Sequence, residues 1–174
     1  NHYPIGISLK DQMEGKEDST CVVHAAAWTD LNSASKNAYR CWETNVYGTR
    51  RMAEERRPLV YISTEYVFSG EKGMYDEGDE TIPTTYYGMT KLMGEFEAMQ
   101  ATNWLIIRTS FKPRPFEHEC ACIDQFTSAD YVDVIAKEVA IAIKIFSEGH
   151  LSNRILHIGT ERKSTYDLAM QTKI

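Results

Sequence analysis

Leu59-Val60-Tyr61-Ile62, continued by Ser63-Thr64, is the stretch on which the reading of this chain turns. It is almost continuously apolar and rich in β-formers, without the in-out alternation of a strand that has one wet face. Such a run suits a strand covered on both faces by helices, as in parallel sheets. The strand is expected over Leu59 to Ser63. Working outward, runs of the same kind recur at Tyr3 to Ile7, Cys21 to Ala27, Trp104 to Arg108 and Ile155 to Ile158. Between them lie stretches of helical period: Ala34 to Arg56, Thr85 to Gln100, Tyr131 to Phe146 and Ser164 to Gln171. In the third, Val132, Ile135, Val139, Ala142 and Phe146 form the apolar stripe, Asp130 is placed to cap the start, and Gly149 sits just past the end. Strands alternating with helices predict an α/β protein built on a mainly parallel sheet. Ser69 to Pro83 and Lys112 to Glu119 read as long loops, where α/β proteins place ligands.

Composition narrows the function. The 174 residues suit one domain, and 43% apolar content is enough for a core. A formal charge of −6, with 25 acids against 19 bases and no basic run beyond Arg56-Arg57, argues against nucleic acid as a partner. The apolar stretch from Val139 to Phe146 is interrupted by Lys144 and far too short to cross a bilayer, so a membrane is not expected either. Four irregularly spaced cysteines and no secretory pattern at Asn1-His2-Tyr3-Pro4 lead to a cytoplasmic expectation. His118-Glu119-Cys120-Ala121-Cys122 lacks the paired spacing of a structural zinc site and reads as alternating strand residues; no metal is expected. Met89, Met93 and Met99 read as core packing.

The chemistry concentrates at Tyr87-Gly88-Met89-Thr90-Lys91, at the start of a helix. A spacing of four puts Tyr87 and Lys91 on one helical face. A nearby ammonium is expected to lower the phenol's pKa and make Tyr87 a usable acid. Thr64, at the carboxyl end of its strand, can hold a substrate oxygen against it.

These residues belong to a longer ordered set. Val22 to Asp30 with its run Ala25-Ala26-Ala27, Asn45-Val46-Tyr47-Gly48-Thr49, Tyr61 to Gly70, Tyr87 to Lys91 with Leu92-Met93-Gly94-Glu95, and Ile107-Arg108-Thr109-Ser110 follow one another in sequence. The order resembles the extended short-chain dehydrogenase/reductases, most closely the dTDP-4-dehydrorhamnose reductase group, and it runs from about Tyr3 to Lys173. The resemblance implies a Rossmann-like doubly wound parallel sheet in a single domain over residues 1–174, with a reduced substrate lobe contributed by 111–174. It implies Tyr87 as the acid, Lys91 as its partner and a ribose ligand, and Thr64 as the orienting hydroxyl. Ala25, Ala26, Ala27, Asn45 and Ser63 would line the dinucleotide, and Glu65 and Phe68 the substrate pocket. Arg114, in Lys112-Pro113-Arg114-Pro115, is a candidate for gripping a diphosphate.

No Gly-x-Gly turn stands at a strand-helix junction, so Tyr3 to Ile7 reads as the family's second strand, the first and its phosphate turn being expected to precede it. The connection Ser8 to Thr20 carries no apolar stripe. Ser8-Leu9-Lys10 lacks the acid that favours NAD, which tilts the expected cofactor to NADP over NAD. The implied activity is NAD(P)H-dependent reduction of a nucleotide-activated 4-keto-6-deoxy sugar. A non-catalytic dinucleotide- or sugar-nucleotide-binding regulatory subunit is the alternative from another class. An epimerase or dehydratase of the same fold is the other; for dehydration the family pattern has Asp-Glu after the threonine, where this chain has Glu65-Tyr66. The expected partners are a small nucleotide sugar and a second copy of the chain in a homodimer.

Overall fold

The computed structural model describes residues 21–172; the strand expected over Tyr3 to Ile7, the connection after it and Lys10 lie outside them. The chain runs from strand β1 (Val22–His24) through helices α1 (Leu31–Ala34) and α2 (Ala38–Trp42), a π-helical turn (Glu43–Tyr47) and α3 (Gly48–Glu54) to β2 (Leu59–Thr64). A 3₁₀ turn (Glu65–Val67) and the long loop lead to α4 (Tyr86–Ala98) and β3 (Trp104–Thr109). Then come the short strands β4 (Phe111–Lys112), β5 (Phe126–Thr127) and β6 (Asp130–Tyr131), helix α5 (Val132–Ser147), β7 (Arg154–Ile158), β8 (Lys163–Ser164) and α6 (Thr165–Met170). Strands β1, β2, β3 and β7 pair in that order, all parallel, with Leu59 opposite Trp104 and Thr64 opposite Thr109. This is the Rossmann-like arrangement.

The pleat of β2 explains why its sequence is apolar throughout. Leu59 and Tyr61 face one layer, packed with Ile106, Met52, Ala53 and Ala98 from β3, α3 and α4. Val60 faces the other, with Leu105, Ile107, Ala142 and Phe146 from β3 and α5. Successive side chains of a strand point to opposite faces, so every residue of the run finds a dry neighbour. Leu59, Val60, Tyr61, Leu105, Ile106 and Ile107 are fully buried, each side chain contributing roughly 1.5–3 kcal/mol of transfer free energy.

The departures from the expected elements have local causes. The helix expected over Ala34 to Arg56 is divided. Asn37 takes φ −116°, ψ 39°, and its side-chain amide donates to the Ser33 carbonyl at 3.1 Å, a local bond that competes with helical pairing. Beyond it the helix widens into the π turn around Asn45. Asp130 does not cap α5 as expected. Tyr131 holds the cap position without a side-chain bond, while the Asp130 carboxylate accepts from Lys163 Nζ at 2.6 Å and from the Tyr131 amide at 2.7 Å. Gly149, φ +91°, ends that helix in the left-handed region. Val132 is exposed, leaving Ile135, Ala142 and Phe146 as the buried stripe. Residues 118–122 are irregular rather than a strand, with Ala121 packed against the small Phe116, Tyr131, Leu168 and Ala169 cluster. Of the three methionines expected in the core, Met99 packs there but Met89 faces solvent. Among the described residues no helix is long and apolar enough to cross a membrane.

Candidate active site

Helix α4 is placed by two glycines. A methyl group on Gly88 would run into the backbone carbonyl of Tyr66 in the 3₁₀ turn after β2. One on Gly94 would collide with the Tyr61 hydroxyl and lie 2.7 Å from the Asn45 carbonyl oxygen. Only glycine lets the helix lie this close to the strand end and the π turn at once. Thr85 caps α4, its hydroxyl accepting from the Gly88 amide at 3.0 Å. Tyr87 therefore stands in the first turn, directly beside the carboxyl end of β2.

There the Thr64 hydroxyl, which accepts from the Tyr66 amide at 3.3 Å, lies close enough to the Tyr87 phenol to act on its pKa. Tyr87 is only 9% exposed, in a pocket with Ala34, Cys41, Trp28 and Tyr66, the Tyr66 ring meeting it edge-on at 5.8 Å. Burial pushes the phenol up to about 12, with the nearby Thr64 hydroxyl opposing. This corrects the expectation that Lys91 lowers it. Lys91 does share a helical face with Tyr87, but its ammonium turns to the sheet. Nζ donates to the Ile62 carbonyl at 2.7 Å and lies 4.1 Å from the centre of the Tyr61 ring. Lys91 is 1% exposed, and burial brings its own pKa down to about 7, against the pull of Glu95.

The residues expected around the dinucleotide divide into two groups. Ala25 and Ala26, beyond the last paired residue of β1, are exposed, and Ala27 is half-buried. Asn45 and Ser63 are instead buried and occupied. The Asn45 amide accepts from the Trp28 amide at 2.7 Å, donates to the Trp28 carbonyl at 3.3 Å and to Thr90 Oγ1 at 2.9 Å. Asn45 thus ties the loop after β1 to α4. Ser63 donates to Glu95 Oε1 at 2.5 Å.

On the substrate side Glu65 is exposed. Phe68 is buried: its ring stacks on Tyr75 at 4.4 Å, meets His157 edge-on and lies 5.1 Å from the Arg108 guanidinium, so it is a wall under the long loop more than a contact surface. Arg114 stands apart at the start of α5, its side chain 42% exposed, paired with Asp133 at 3.1 Å and 4.2 Å over the Tyr131 ring.

Two groups escaped notice in the sequence. His24, at the end of β1, is buried against Thr49 Oγ1 at 3.1 Å, and burial with the charge of Lys91 depresses its pKa to about 4. Glu95 and Arg108 form a buried pair joined at 2.8 Å. The signal was present: an arginine ending the apolar run Trp104 to Ile107 needs a partner, because a charge that deep is rarely left alone.

This arrangement can protonate an oxygen held at the sheet edge. Residues 9–112 match the family model described as the RmlD substrate binding domain. A dTDP-4-dehydrorhamnose reductase of Sinorhizobium fredii is 38% identical over 96 residues, covering 52% of this chain and 32% of that protein. A probable dTDP-4,6-dihydroxy-2-methyloxan-3-one 4-ketoreductase of Streptomyces antibioticus is 31% identical over 152 residues, 79% of this chain and 49% of that one. The crystal structure of dTDP-4-dehydrorhamnose reductase from Bacillus anthracis, in complex with NADP, superposes with a TM-score of 0.74 at 26% identity, covering 87% of this chain and 60% of the other. The chain spans about a third to a half of the length of these curated relatives. With the family model matching more than half of its residues, the chain belongs to the RmlD substrate binding domain family.

Proposed function

We propose that the chain carries the catalytic edge of an NAD(P)H-dependent reductase acting on a nucleotide-activated 4-keto-6-deoxy sugar. The observation that carries the reading is the Thr64 hydroxyl placed beside the buried Tyr87 phenol at the carboxyl edge of the sheet, in a chain whose relatives include proteins named as reductases of such sugars. The reduced nicotinamide supplies the hydride when bound. Ala25 and Ala26 fit its approach, because they are exposed at a strand end and carry nothing beyond a methyl. A relative solved with NADP supports that assignment of cofactor.

Tyr87 then has one task, delivering a proton to the C4 oxygen. A phenol held near 12 keeps its proton at neutral pH, and an alkoxide is a stronger base than a phenolate, so transfer runs downhill once charge develops on the sugar oxygen. Thr64 orients that oxygen against the phenol. Lys91, one helical turn further on, restores the proton of Tyr87 together with solvent. Asn45 keeps the loop after β1 in register with α4. Glu65 is exposed and Tyr66 has no carboxylate, so the second acid of a dehydratase is missing. In this reading residues 111–174 supply a small substrate lobe, with Arg114 offered to a diphosphate, and the four free thiols suit the cytoplasm.

The test is the loss of NADPH absorbance when the protein is mixed with a dTDP-4-keto-6-deoxyhexose. The expected outcome is consumption with the keto sugar and formation of the C4 alcohol. Dinucleotide binding without consumption would replace this reading by the regulatory-subunit one, and loss of water from a 4-hydroxy hexose by the dehydratase one.

A further inference from the structure

Lys91 is a lysine in a place that should discharge it. It is 1% exposed, its neighbours on β2 are the Tyr61 ring and the Ile62 carbonyl, and among the described residues no carboxylate makes an ion pair with it. The groups facing it are the Cys41 thiol on α2, His24 on β1, Tyr61 on β2 and Glu95 on its own helix, with Arg108 of β3 behind Glu95. Glu95 is the one anionic side chain among them. It lies four residues beyond Lys91, on the same face of α4, and is completely buried. It does not move toward the lysine because it is held elsewhere. Arg108 grips it through Nε at 3.0 Å to Oε1 and Nη2 at 2.8 Å to Oε2, and Ser63 donates to Oε1. Ser63 directly follows Ile62, whose carbonyl receives Lys91. Lysine and glutamate thus rest on consecutive residues of one strand.

We propose that Glu95 is a positioning residue for Lys91: clamped by Arg108 and Ser63, its fixed carboxylate keeps the buried lysine charged where the Ile62 carbonyl holds it. A carboxylate paired directly to the lysine would hold it as a salt bridge and draw it off that carbonyl. One held a turn away by an arginine supplies field without contact, which matters in a dry interior where charges act over longer distances. This also gives Ser63, expected at the dinucleotide, its actual partner. The meaning for turnover rests on the reductase reading above; the effect on Lys91 does not.

The experiment is a pH titration of Lys91 by NMR in protein labelled at lysine Nζ and Cε, the resonance identified by its loss in Lys91→Met. Glu95→Gln keeps the shape and the bond to Ser63 but removes the negative charge. The midpoint for Lys91 should fall by about one pH unit or more, roughly tenfold fewer charged lysines at a given pH. Because Glu95→Gln strands the Arg108 cation, the double variant Glu95→Gln/Arg108→Gln is measured alongside. It removes both buried charges, and it should melt above the single variant while keeping the low Lys91 midpoint. A Lys91 midpoint at the parent value in either variant would overturn the proposal, and a double variant that does not fold would show the pair to be scaffold and overturn it too. If the midpoint falls while the pH profile of NADPH turnover stays put, positioning stands and the reductase mechanism is what fails.

Discussion

Replacing Gly88 by alanine sets two effects against each other. In a helix exposed to water the change relieves glycine of its conformational entropy and stabilises by roughly 0.5–1 kcal/mol. Here the new methyl meets the Tyr66 backbone, with the carbonyl carbon at 3.0 Å and the Thr85 hydroxyl at 3.1 Å, and the carbonyl oxygen nearer still. A backbone carbonyl has no rotamer with which to withdraw. Overpacking of this kind costs about 1–3 kcal/mol, so the clash wins and the net loss is about 1–2 kcal/mol. At roughly 2–4 °C per kcal/mol for a chain of this size, the melting temperature should fall by about 2–8 °C. The same displacement moves the first turn of α4 off the 3₁₀ turn and carries Tyr87 away from Thr64. Misplacing a catalytic group by about an ångström costs on the order of 10²-fold in rate, and the loss should appear in kcat. Circular dichroism melting and steady-state turnover of the variant read both. A melting temperature equal to or above the parent's would refute the claim that this glycine is required by close approach.

Two further outcomes follow from the buried polar groups. His24 has its folded pKa depressed from 6.5 to about 4, so between those values the unfolded chain binds the proton and the folded one does not. Stability should therefore fall as pH drops through that window, by up to about 3 kcal/mol, and His24→Gln should flatten that stretch of the curve of denaturation midpoint against pH. Asn45→Ala leaves the Trp28 amide and carbonyl without their partner; it should cost about 2–3 kcal/mol and weaken NADPH binding, measured by calorimetry, more than it lowers kcat.

What could be read in advance was decided by side-chain burial, and what could not by three-dimensional reach. The apolar run Leu59 to Ile62 announced a sheet covered on both faces, and β2 sits in the middle of one. Tyr87 and Thr64 were paired from their places on a helix start and a strand end. The family resemblance places Ser63, Asn45 and Phe68 at ligands; the side-chain partners they find within the chain, Glu95, Trp28 and the Tyr75–His157–Arg108 group, are distant in sequence. The pKa of Tyr87 departs from the expectation for a related reason: spacing puts Lys91 on the right face, but the direction of a four-carbon side chain is set by the acceptor it finds, here the Ile62 carbonyl. The break at Asn37 and the π turn depend on local amide competition that a hydrophobic period does not register.

The central claim is that the Tyr87 phenol donates the proton to the sugar oxygen. Its most direct test compares Tyr87→Phe with the parent in single-turnover reduction of a dTDP-4-keto-6-deoxyhexose by NADPH. The ring and its packing against Tyr66 remain and only the hydroxyl is lost. General acid catalysis is worth about 10²–10⁴ in rate, so the chemical step should slow by that factor while NADPH affinity stays at the parent value. A rate unchanged in Tyr87→Phe would contradict the account.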